Sequence, residues 1–210
     1  LVDGDTFDGT YTGAFSDKNV GTGKTVNITS SYSGADVSNY SVTDQSSTTA
    51  NITAKSLTVS GITASDKIYD GSTSATLTGT AVYSGLVNGD TFIGSYTGAF
   101  SNANVGTGKT VNITSSYSGT DVNNYSVTDQ SSTTADITAK SLTVSGITAS
   151  NKTYDGSTNV TLTGAAVYSG LVEGDTFDGT YTGAFSDKNV GTGKTVNITS
   201  SYSGADVSNY

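Results

Sequence analysis

The chain has 210 residues, a formal net charge of −9, and no Cys, Met, Trp, His or Pro. The lack of Cys excludes disulfide frameworks and thiolate metal sites, and the lack of both His and Cys excludes Ser-His-Asp and Cys-His triads. Because the chain is acidic and contains no Arg, we expect no nucleic-acid partner and no membrane insertion, and no apolar run approaches the roughly 18 residues of a membrane span.

The sequence repeats itself every 85 residues, so that Leu1, Leu86 and Leu171 open matching blocks. A fixed period of this kind indicates a repeat array. We predict the C-terminal part of one unit at 1–56, a complete unit at 57–141 and the N-terminal part of a third at 142–210, called copies 1, 2 and 3 below. Since the chain starts and stops within a unit, we expect a segment of a longer array.

The complete unit opens with a stretch that alternates apolar and polar residues. In Ser56–Ile62, Leu57 and Val59 share one face, which predicts a half-buried strand. The pair Asp70-Gly71 predicts a turn, because Gly accepts a positive φ without a Cβ clash. Ala75–Tyr83 alternates again and predicts one more strand, and Asn88–Asp90 predicts a further turn.

The next stretch alternates aromatic residues with glycines along one face of a predicted strand. The residues that share this parity in copy 2 are Phe92, Gly94, Tyr96, Gly98 and Phe100, and copies 1 and 3 contain the same pattern. Rings beside bare backbone favour packing in the core. An exposed stripe would instead give a platform for sugars.

The last part of the unit contains its strongest strand signal, Lys109–Tyr117, followed by a turn at Ser118–Asn124 and strands at Tyr125–Asp129 and Thr133–Ile137. About seven short strands without helical periodicity predict an all-β protein. We expect tandem small β-sandwich-like modules of 85 residues in an elongated array, with β-grasp-like modules as the alternative.

The connection between units contains no glycine linker. Ile137 and Leu142 have opposite parity, so the apolar side must switch face across Ala139 and Lys140. A strand that leads almost directly into the next strand predicts a short, stiff joint, unlike a Gly/Ser tether. A chain of such joints should form a rod.

Three groups of residues have spacings that suggest chemistry. Gly106–Thr110 is similar to a phosphate loop, but that loop needs a Gly five residues before its Gly-Lys pair, and Ala103 stands there. Asp3, Asp5 and Asp8 are spaced like calcium ligands, although copy 2 keeps only one of these carboxylates, which favours a turn. We expect no cofactor and no enzyme activity, since most acidic residues simply repeat with the unit.

In each copy, a lysine begins the segment with the strongest strand signal, which is Lys109–Tyr117 in copy 2. This lysine lies on the same predicted face as the apolar residues of that segment. Its side chain would therefore point toward the core, where an unpaired ammonium is costly. Such a lysine could form an intramolecular amide with Asn or Asp, or extend its amine to water. The candidates for this cross-link are Lys24, Lys109 and Lys194.

Several short motifs recur in the same order along the chain: Asp66–Thr73 (D-K-I-Y-D-G-S-T), Gly98–Phe100, Asn104–Lys109 and the second triplet Tyr154–Gly156. Together they resemble the YDG-type repeat of large bacterial surface adhesins, including those of the filamentous-haemagglutinin kind. The resemblance covers the whole chain and departs at Ala54 and Ala139, where Pro is expected. It implies export and an extracellular location on a bacterial cell surface. It brings no catalytic residues.

Three functions are compatible with these observations. The first is a non-enzymatic structural stalk or filament repeat whose partners are the neighbouring repeat units of the same chain. The second is a multivalent module that binds carbohydrate or a host surface, with host glycans as partners. The third is a strand-exchanged fibre subunit, in which Leu1–Ser56 of one chain and Leu142–Gly170 of another complete a unit.

Overall fold

The computed structural model describes all 210 residues, Leu1–Tyr210, and every regular element longer than three residues is a β-strand. The protein is therefore all-β, as the sequence predicts. No helix combines the length and the apolar character that crossing a membrane requires. The chain divides into two compact units, one formed by residues 1–61, 80–95 and 115–130, and the other by residues 62–79, 96–114 and 131–210.

Each copy contributes its own set of strands. Copy 1 contains β1 (Asp8–Phe15), β2 (Gly21–Ser33) and β3 (Ser47–Ile52). The next ten are β4 (Lys55–Ser60), β5 (Thr63–Ala64), β6 (Lys67–Ile68), β7 (Ser74–Ala75), β8 (Leu77–Thr78), β9 (Val82–Ser84), β10 (Ile93–Phe100), β11 (Gly106–Ser118), β12 (Tyr125–Thr128) and β13 (Ser132–Thr138). Copy 3 contains β14 (Thr143–Ser145), β15 (Thr148–Ala149), β16 (Leu162–Thr163), β17 (Val167–Ser169), β18 (Asp178–Phe185) and β19 (Val196–Ser203). Short 3₁₀ helices lie at Val37–Asn39, Val122–Asn124 and Val207–Asn209.

The first compact unit contains two three-stranded sheets. One is antiparallel, in the order β1-β2-β3. In the other, β4 lies between β9, which is antiparallel to it, and β12, which is parallel to it. Leu57 and Val59 of β4 are buried, as their alternation predicts. Phe92 is also buried and packs against Tyr83, Tyr117 and Tyr125, with ring centroids 5.3, 5.1 and 5.7 Å away.

The second compact unit is built on the five-stranded sheet β6-β13-β11-β10-β7, to which β10 and β11 contribute only part of their length. Strand β13 is antiparallel to β11 and parallel to β6. Smaller antiparallel pairs are β5–β8, β14–β17, β15–β16 and β18–β19. The buried core cluster consists of Tyr69, Phe100, Val111, Ala135 and Ile137. Val111 is fully buried, in agreement with the strong strand signal around it.

Two features differ from the sequence-based expectation. The single strand predicted at Ala75–Tyr83 is wrong, because the chain forms three short strands there and Gly79 adopts a φ of +79° between the second and the third. A left-handed φ takes the backbone out of the pleated conformation, so the alternation cannot continue. The pairings of β12 with β4 and of β13 with β6 are parallel, a direction that alternation along one strand does not encode.

The connection from copy 1 to copy 2 is short, as the sequence predicts. Strand β3 ends at Ile52 and β4 begins at Lys55. The two strands belong to different sheets, which accounts for the switch of the apolar face. In the next connection, β13 ends at Thr138 and β14 begins only at Thr143.

Candidate interface between consecutive copies

The two long strands of each copy are joined by a tip loop, Ser16–Val20 in copy 1, Ser101–Val105 in copy 2 and Ser186–Val190 in copy 3. In copy 1 the Asn19 N–H donates to Asp17 Oδ1 at 2.8 Å, a local turn typical of Asp. The ammonium of Lys24 binds the same carboxylate and holds the pKa of Asp17 below its usual range. The loop is thus fixed by its own hairpin, and Lys18 and Val20 remain for other contacts.

A second set of polar residues recurs in every copy, and we call it the acceptor cluster. It consists of Asp90, Asp121, Asn124 and Tyr125 in copy 2, of Asp5, Asp36, Asn39 and Tyr40 in copy 1, and of Asp175, Asp206, Asn209 and Tyr210 in copy 3. In copy 2 the Tyr125 hydroxyl donates to Asp90 Oδ2 at 2.6 Å and accepts from the Val87 N–H at 3.0 Å. Asp121 Oδ2 accepts from the Thr91 N–H at 2.9 Å.

In the first joint, the tip loop of copy 1 lies on the acceptor cluster of copy 2. Lys18 Nζ lies 2.9 Å from Asp90 Oδ1 and 2.9 Å from Asp121 Oδ1. The Val20 N–H donates to Asn124 Oδ1 at 2.9 Å, and Asn124 Nδ2 donates to Asn19 Oδ1 at 3.3 Å. Copy 1 is therefore attached to copy 2 in two ways. The Lys18 ammonium bridges the carboxylates of Asp90 and Asp121 in an arrangement that we call the clamp, and hydrogen bonds join the tip loop to the Asn124 amide.

The electrostatics of the clamp follow from these contacts. Hydrogen bonds to Asp90 and Asp121 raise the pKa of the Lys18 ammonium. The hydrogen bond from Tyr125, followed by that from Lys18, lowers the pKa of Asp90. The backbone N–H of Thr91, followed by Lys18, lowers the pKa of Asp121. All three groups are therefore held in their charged forms, although the Lys18 side chain remains 66% exposed.

In the second joint, the tip loop of copy 2 lies on the acceptor cluster of copy 3. The Val105 N–H donates to Asn209 Oδ1 at 3.0 Å, matching the first joint, but Ala103 replaces the clamping lysine. Tyr69 of copy 2 also takes part in this joint: its hydroxyl donates to Asp175 Oδ1 at 3.0 Å, and its ring packs edge-on against Tyr210 at 5.7 Å. Burial, followed by the hydrogen bond to Asp175, raises the pKa of Tyr69 to about 12.

A turn after β6 places Tyr69 in this joint. Lys67 Nζ donates to Asp70 Oδ1 at 2.7 Å and to the Ser72 carbonyl at 2.8 Å, and Asp70 Oδ1 also accepts from the Ser72 N–H at 2.9 Å. The hydrogen bond from Lys67 lowers the pKa of Asp70. Gly71 has a φ of +77°, and a Cβ at this position would lie 3.0 Å from Cγ1 of Val172. The turn thus needs Lys, Asp and Gly to direct the tyrosine toward copy 3.

A family model described as the YDG domain matches three segments of the chain, residues 1–50, 53–135 and 138–210. The chain belongs to the YDG domain family. No curated protein and no solved structure gives a significant match. In this YDG chain, the Tyr-Asp-Gly triplet at Tyr69–Gly71 is the turn that contacts the following copy.

The three aspartates with calcium-like spacing do not form a metal cluster, and no group of three or more His, Cys, Asp or Glu residues in the chain could hold a metal ion. Asp3 lies in a turn, Asp5 binds the Tyr40 hydroxyl at 2.5 Å as part of the acceptor cluster, and Asp8 begins β1. The spacing of these residues in this YDG copy therefore reflects a turn and the start of a strand.

The lysines predicted to form cross-links lie at the bases of the tip loops. Lys109 Nζ donates to Asn102 Oδ1 at 2.6 Å, and Lys24 and Lys194 form ion pairs with Asp17 and Asp187. These contacts identify the partner of each proposed amide bond. The cross-link stays a prediction, and measurement of the intact mass tests it. An amide bond between Lys109 and Asn102 would lower the mass by one ammonia, and a bond in either Lys–Asp pair would lower it by one water.

The aromatic stripe packs differently in different YDG copies. In copy 2, Phe92 and Phe100 are buried, as the core-packing interpretation predicts. In copy 1, Tyr11 is 64% exposed and Phe15 is also exposed. The stripe is thus part of the core in copy 2, and Phe177 of copy 3 is buried as well.

The sequence interpretation missed the residues that form the joints. Lys18 and Asp90 are 72 positions apart, and no local pattern connects them. A usable signal was present, because Asp90, Asp121, Asn124 and Tyr125 all have identical counterparts in the other copies, whereas Lys18 alternates with Ala103. An invariant polar set facing a variable loop position is what an interface between copies would produce.

Proposed function

We propose that this YDG chain is a non-enzymatic structural stalk or filament segment of a bacterial cell-surface adhesin, located outside the cell, with its copies folded as small β-sandwich-like modules. The observation that carries the proposal is the docking of one tip loop on the acceptor cluster of the following copy, which occurs in both joints. A repeat that binds its neighbour along the chain extends the array without needing another partner.

The contacts explain how such a stalk would keep its direction. Only two residues separate β3 from β4, and the Val20 N–H and the Lys18 ammonium bind the same neighbour from positions more distant along the sequence. Two attachments separated along the sequence restrict bending more than a short connection alone. Because each joint involves neighbouring copies only, length can be added copy by copy.

Small-angle scattering from the dilute 210-residue chain tests the stalk. We expect the distance distribution of a rod, and a compact particle would overturn the proposal. The double variant Lys18→Ala/Asn124→Ala should make the rod more flexible, since it removes the clamp and the amide of the first joint. A matched variant, Lys152→Ala/Asn159→Ala, changes the same residue types outside both joints and should leave the curve unchanged.

A second candidate is a multivalent module that binds carbohydrate or a host surface through rings of the aromatic stripe. Tyr11 and Phe15 are exposed members of that stripe. Stacking of sugars on such rings would be weak at one site and useful when repeated. A glycan array probed with the chain and with Tyr11→Ala tests this candidate: binding lost in the variant supports it, and silence of the native chain removes it.

A further inference from the structure

We propose that Asn88 is a site of spontaneous deamidation, and that the isoaspartyl product loosens the joint between copies 1 and 2. The site lies in the turn Val87–Asp90 of copy 2, which carries Asp90 of the acceptor cluster. Water is the only co-reactant. The inference does not depend on the stalk function, because it rests on the chemistry of one turn and on the contacts of one joint.

Asn88 is the only asparagine of the chain that a glycine follows. Deamidation begins when the main-chain nitrogen of the next residue attacks the asparagine side chain, so a side chain on that next residue hinders the approach. Glycine has no Cβ and leaves the backbone the most freedom to reach the geometry of attack. Every other asparagine precedes a residue with a side chain, in most cases Val, Ile or Tyr. The sequence therefore singles out Asn88.

The turn leaves both reacting groups accessible. Asn88 and Gly89 are exposed, and neither the Asn88 side chain nor the Gly89 N–H forms a hydrogen bond. A Cβ placed on Gly89 would have no atom of another residue within 4 Å. One main-chain bond spans the pair, from the Asp90 N–H to the Val87 carbonyl at 3.1 Å. No tertiary contact therefore holds the amide away from the nitrogen that attacks it.

The Asp-Gly pair of the YDG turn is protected where Asn88 is not. An aspartate can form the same ring with a following glycine, but an ionised carboxylate resists attack at its carbon. The Asp70 carboxylate accepts from Lys67 Nζ at 2.7 Å and from the Ser72 N–H at 2.9 Å. The hydrogen bond from Lys67 lowers the pKa of Asp70, which keeps it ionised. We therefore expect modification at Asn88 and not at the YDG turn.

The reaction passes through a cyclic imide. The Gly89 nitrogen gives its proton to hydroxide and forms a bond to Cγ of Asn88. The bond from Cγ to Nδ2 breaks, and Nδ2 leaves as ammonia after taking a proton from water, which restores the hydroxide. Water then opens the ring at one of its two carbonyl carbons. Cleavage of the new bond gives aspartate, and cleavage of the original peptide bond gives isoaspartate. Nothing is oxidised or reduced, and one water replaces one ammonia.

The aspartyl product fits the turn. Asp3 occupies the equivalent position of copy 1, where the turn is closed by the same main-chain bond, from the Asp5 N–H to the Val2 carbonyl at 3.2 Å. Aspartate at position 88 would give the segment L-V-D-G-D, which is the sequence of residues 1–5. This product therefore changes the charge of the turn and leaves its geometry intact.

The isoaspartyl product does not fit in the same way, because its main chain runs through the side-chain carbons and is one atom longer. The extra atom lies between Val87 and Asp90, which are both tied to Tyr125. The Tyr125 hydroxyl accepts from the Val87 N–H at 3.0 Å and donates to Asp90 Oδ2 at 2.6 Å. Asp90 Oδ1 lies 2.9 Å from Lys18 Nζ. A longer turn strains this set of bonds and shifts Asp90, so the clamp is weakened.

Incubation of the full chain in mildly alkaline buffer, followed by peptide mass analysis, tests the modification. We expect the mass of an amide-to-acid change to appear at Asn88 at least about tenfold faster than at any other asparagine. A protein isoaspartyl methyltransferase should then methylate the chain, which identifies the isoaspartyl product. Asn88→Gln keeps an amide but would need a larger ring, so it should stay unmodified. The synthetic peptide Leu86–Thr91 serves as a clock. A chain that keeps its Asn88 amide after this peptide has converted overturns the proposal.

Hydrogen exchange at the Val20 amide tests the effect on the first joint. In the isoaspartyl form, purified by ion-exchange chromatography, this exchange should be at least about threefold faster than in the fresh chain. The matched control is Asn88→Asp, which carries the same charge on an ordinary main chain and should change the exchange less than about twofold. Exchange at Val105 should stay constant, since Glu173 occupies the equivalent turn of the second joint.

Equal exchange at Val20 in the isoaspartyl form and in Asn88→Asp would overturn the loosening of the joint. An equal rise at Val105 would overturn it as well, because it would report a general loss of the fold. The stalk is tested separately, since scattering from the fresh chain reports its shape before any deamidation has occurred.

Discussion

The two joints bind the same acceptor cluster in different ways. In the first, Lys18 clamps two carboxylates with an ammonium that is largely in solvent. In the second, Ala103 leaves the clamp out and Tyr69 buries an aromatic ring against the cluster. Both joints keep the hydrogen bond from a tip-loop valine to the acceptor asparagine.

This difference shows which part of a joint carries its stability. Exposed ion pairs contribute little because water and salt screen them, whereas a buried aromatic ring removes a large apolar area from water. The contact of Tyr69 should therefore contribute more stability than the Lys18 ion pairs and should be less sensitive to salt. The acceptor cluster supplies the geometry in both joints.

The largest effect should follow from removing the tyrosine of the second joint. Tyr69 is 4% exposed, so Tyr69→Ala would leave a cavity, expose Val172 and break the bond to Asp175. We expect a loss of about 3 kcal/mol in the free energy of unfolding. Urea denaturation followed by tyrosine fluorescence measures this change.

The matched control is Tyr154→Ala, which changes the same motif in copy 3 where the side chain is exposed. It should cost less than about 0.5 kcal/mol. Equal losses in the two variants would mean that the tyrosine stabilises its own turn, and the role assigned to it in the joint would then be wrong.

A smaller effect is expected from the glycine of the same turn. Gly71 and Gly156 have nearly equal φ values, +77° and +78°, but an added Cβ meets Val172 only at Gly71. Gly156→Ala should cost about 1 kcal/mol for the left-handed backbone alone, and Gly71→Ala about 2 kcal/mol because contact with copy 3 is added. Denaturation of both variants gives the difference, and identical losses would exclude a contribution from packing across the joint.

Alkaline pH should weaken the second joint through Tyr69. Burial raises its pKa to about 12, above an ordinary value of 10.0, so the neutral hydroxyl is the form that the folded protein favours. Its stabilising contribution is complete below pH 10 and is lost as the pH rises toward 12. Tyr69→Phe cannot ionise, so its stability should fall less steeply over this interval. Parallel slopes for the two proteins in pH-dependent denaturation would contradict the assignment.

The smallest effects are expected at the clamp. Lys18→Ala should slightly lower the stability of the first joint in dilute buffer, and the difference should disappear in 1 M salt, where the Debye length is about 3 Å. The converse variant, Ala103→Lys, should give the second joint a salt-sensitive gain. Hydrogen exchange at the Val20 and Val105 amides measures each joint separately, and protection unaffected by either change would show that the clamp has no energetic role.

The sequence predicts the local parts of the fold and fails where distant strands meet. Leu57, Val59 and Val111 are buried where alternation places them, because a strand has a period of two. The turn at Gly79 cannot be predicted from alternation, since glycine is compatible both with a strand and with the left-handed backbone that it adopts here. Nor does any residue of β12 or β13 indicate a parallel neighbour.

The site is less accessible to prediction than the fold. Lys109 is partly buried, and its ammonium binds Asn102, seven positions earlier, because the hairpin brings the two residues together. Lys18 and Tyr69 act on residues 72 and 106 positions away, so their partners depend on how the copies meet. Comparing the copies identifies the constant acceptor residues, while only the structure identifies what binds them.

The parallel pairings within copy 2 determine how it would respond to mechanical force. Strands β4 and β6 come early in this copy, and their parallel neighbours β12 and β13 come late. Tension on the two ends of the copy pulls an early strand toward its start and a late strand toward its end. The hydrogen bonds of each parallel pair are then loaded together in shear, whereas an antiparallel terminal pair would open one bond at a time. Pulling should therefore meet its greatest resistance at the pairs β4–β12 and β6–β13.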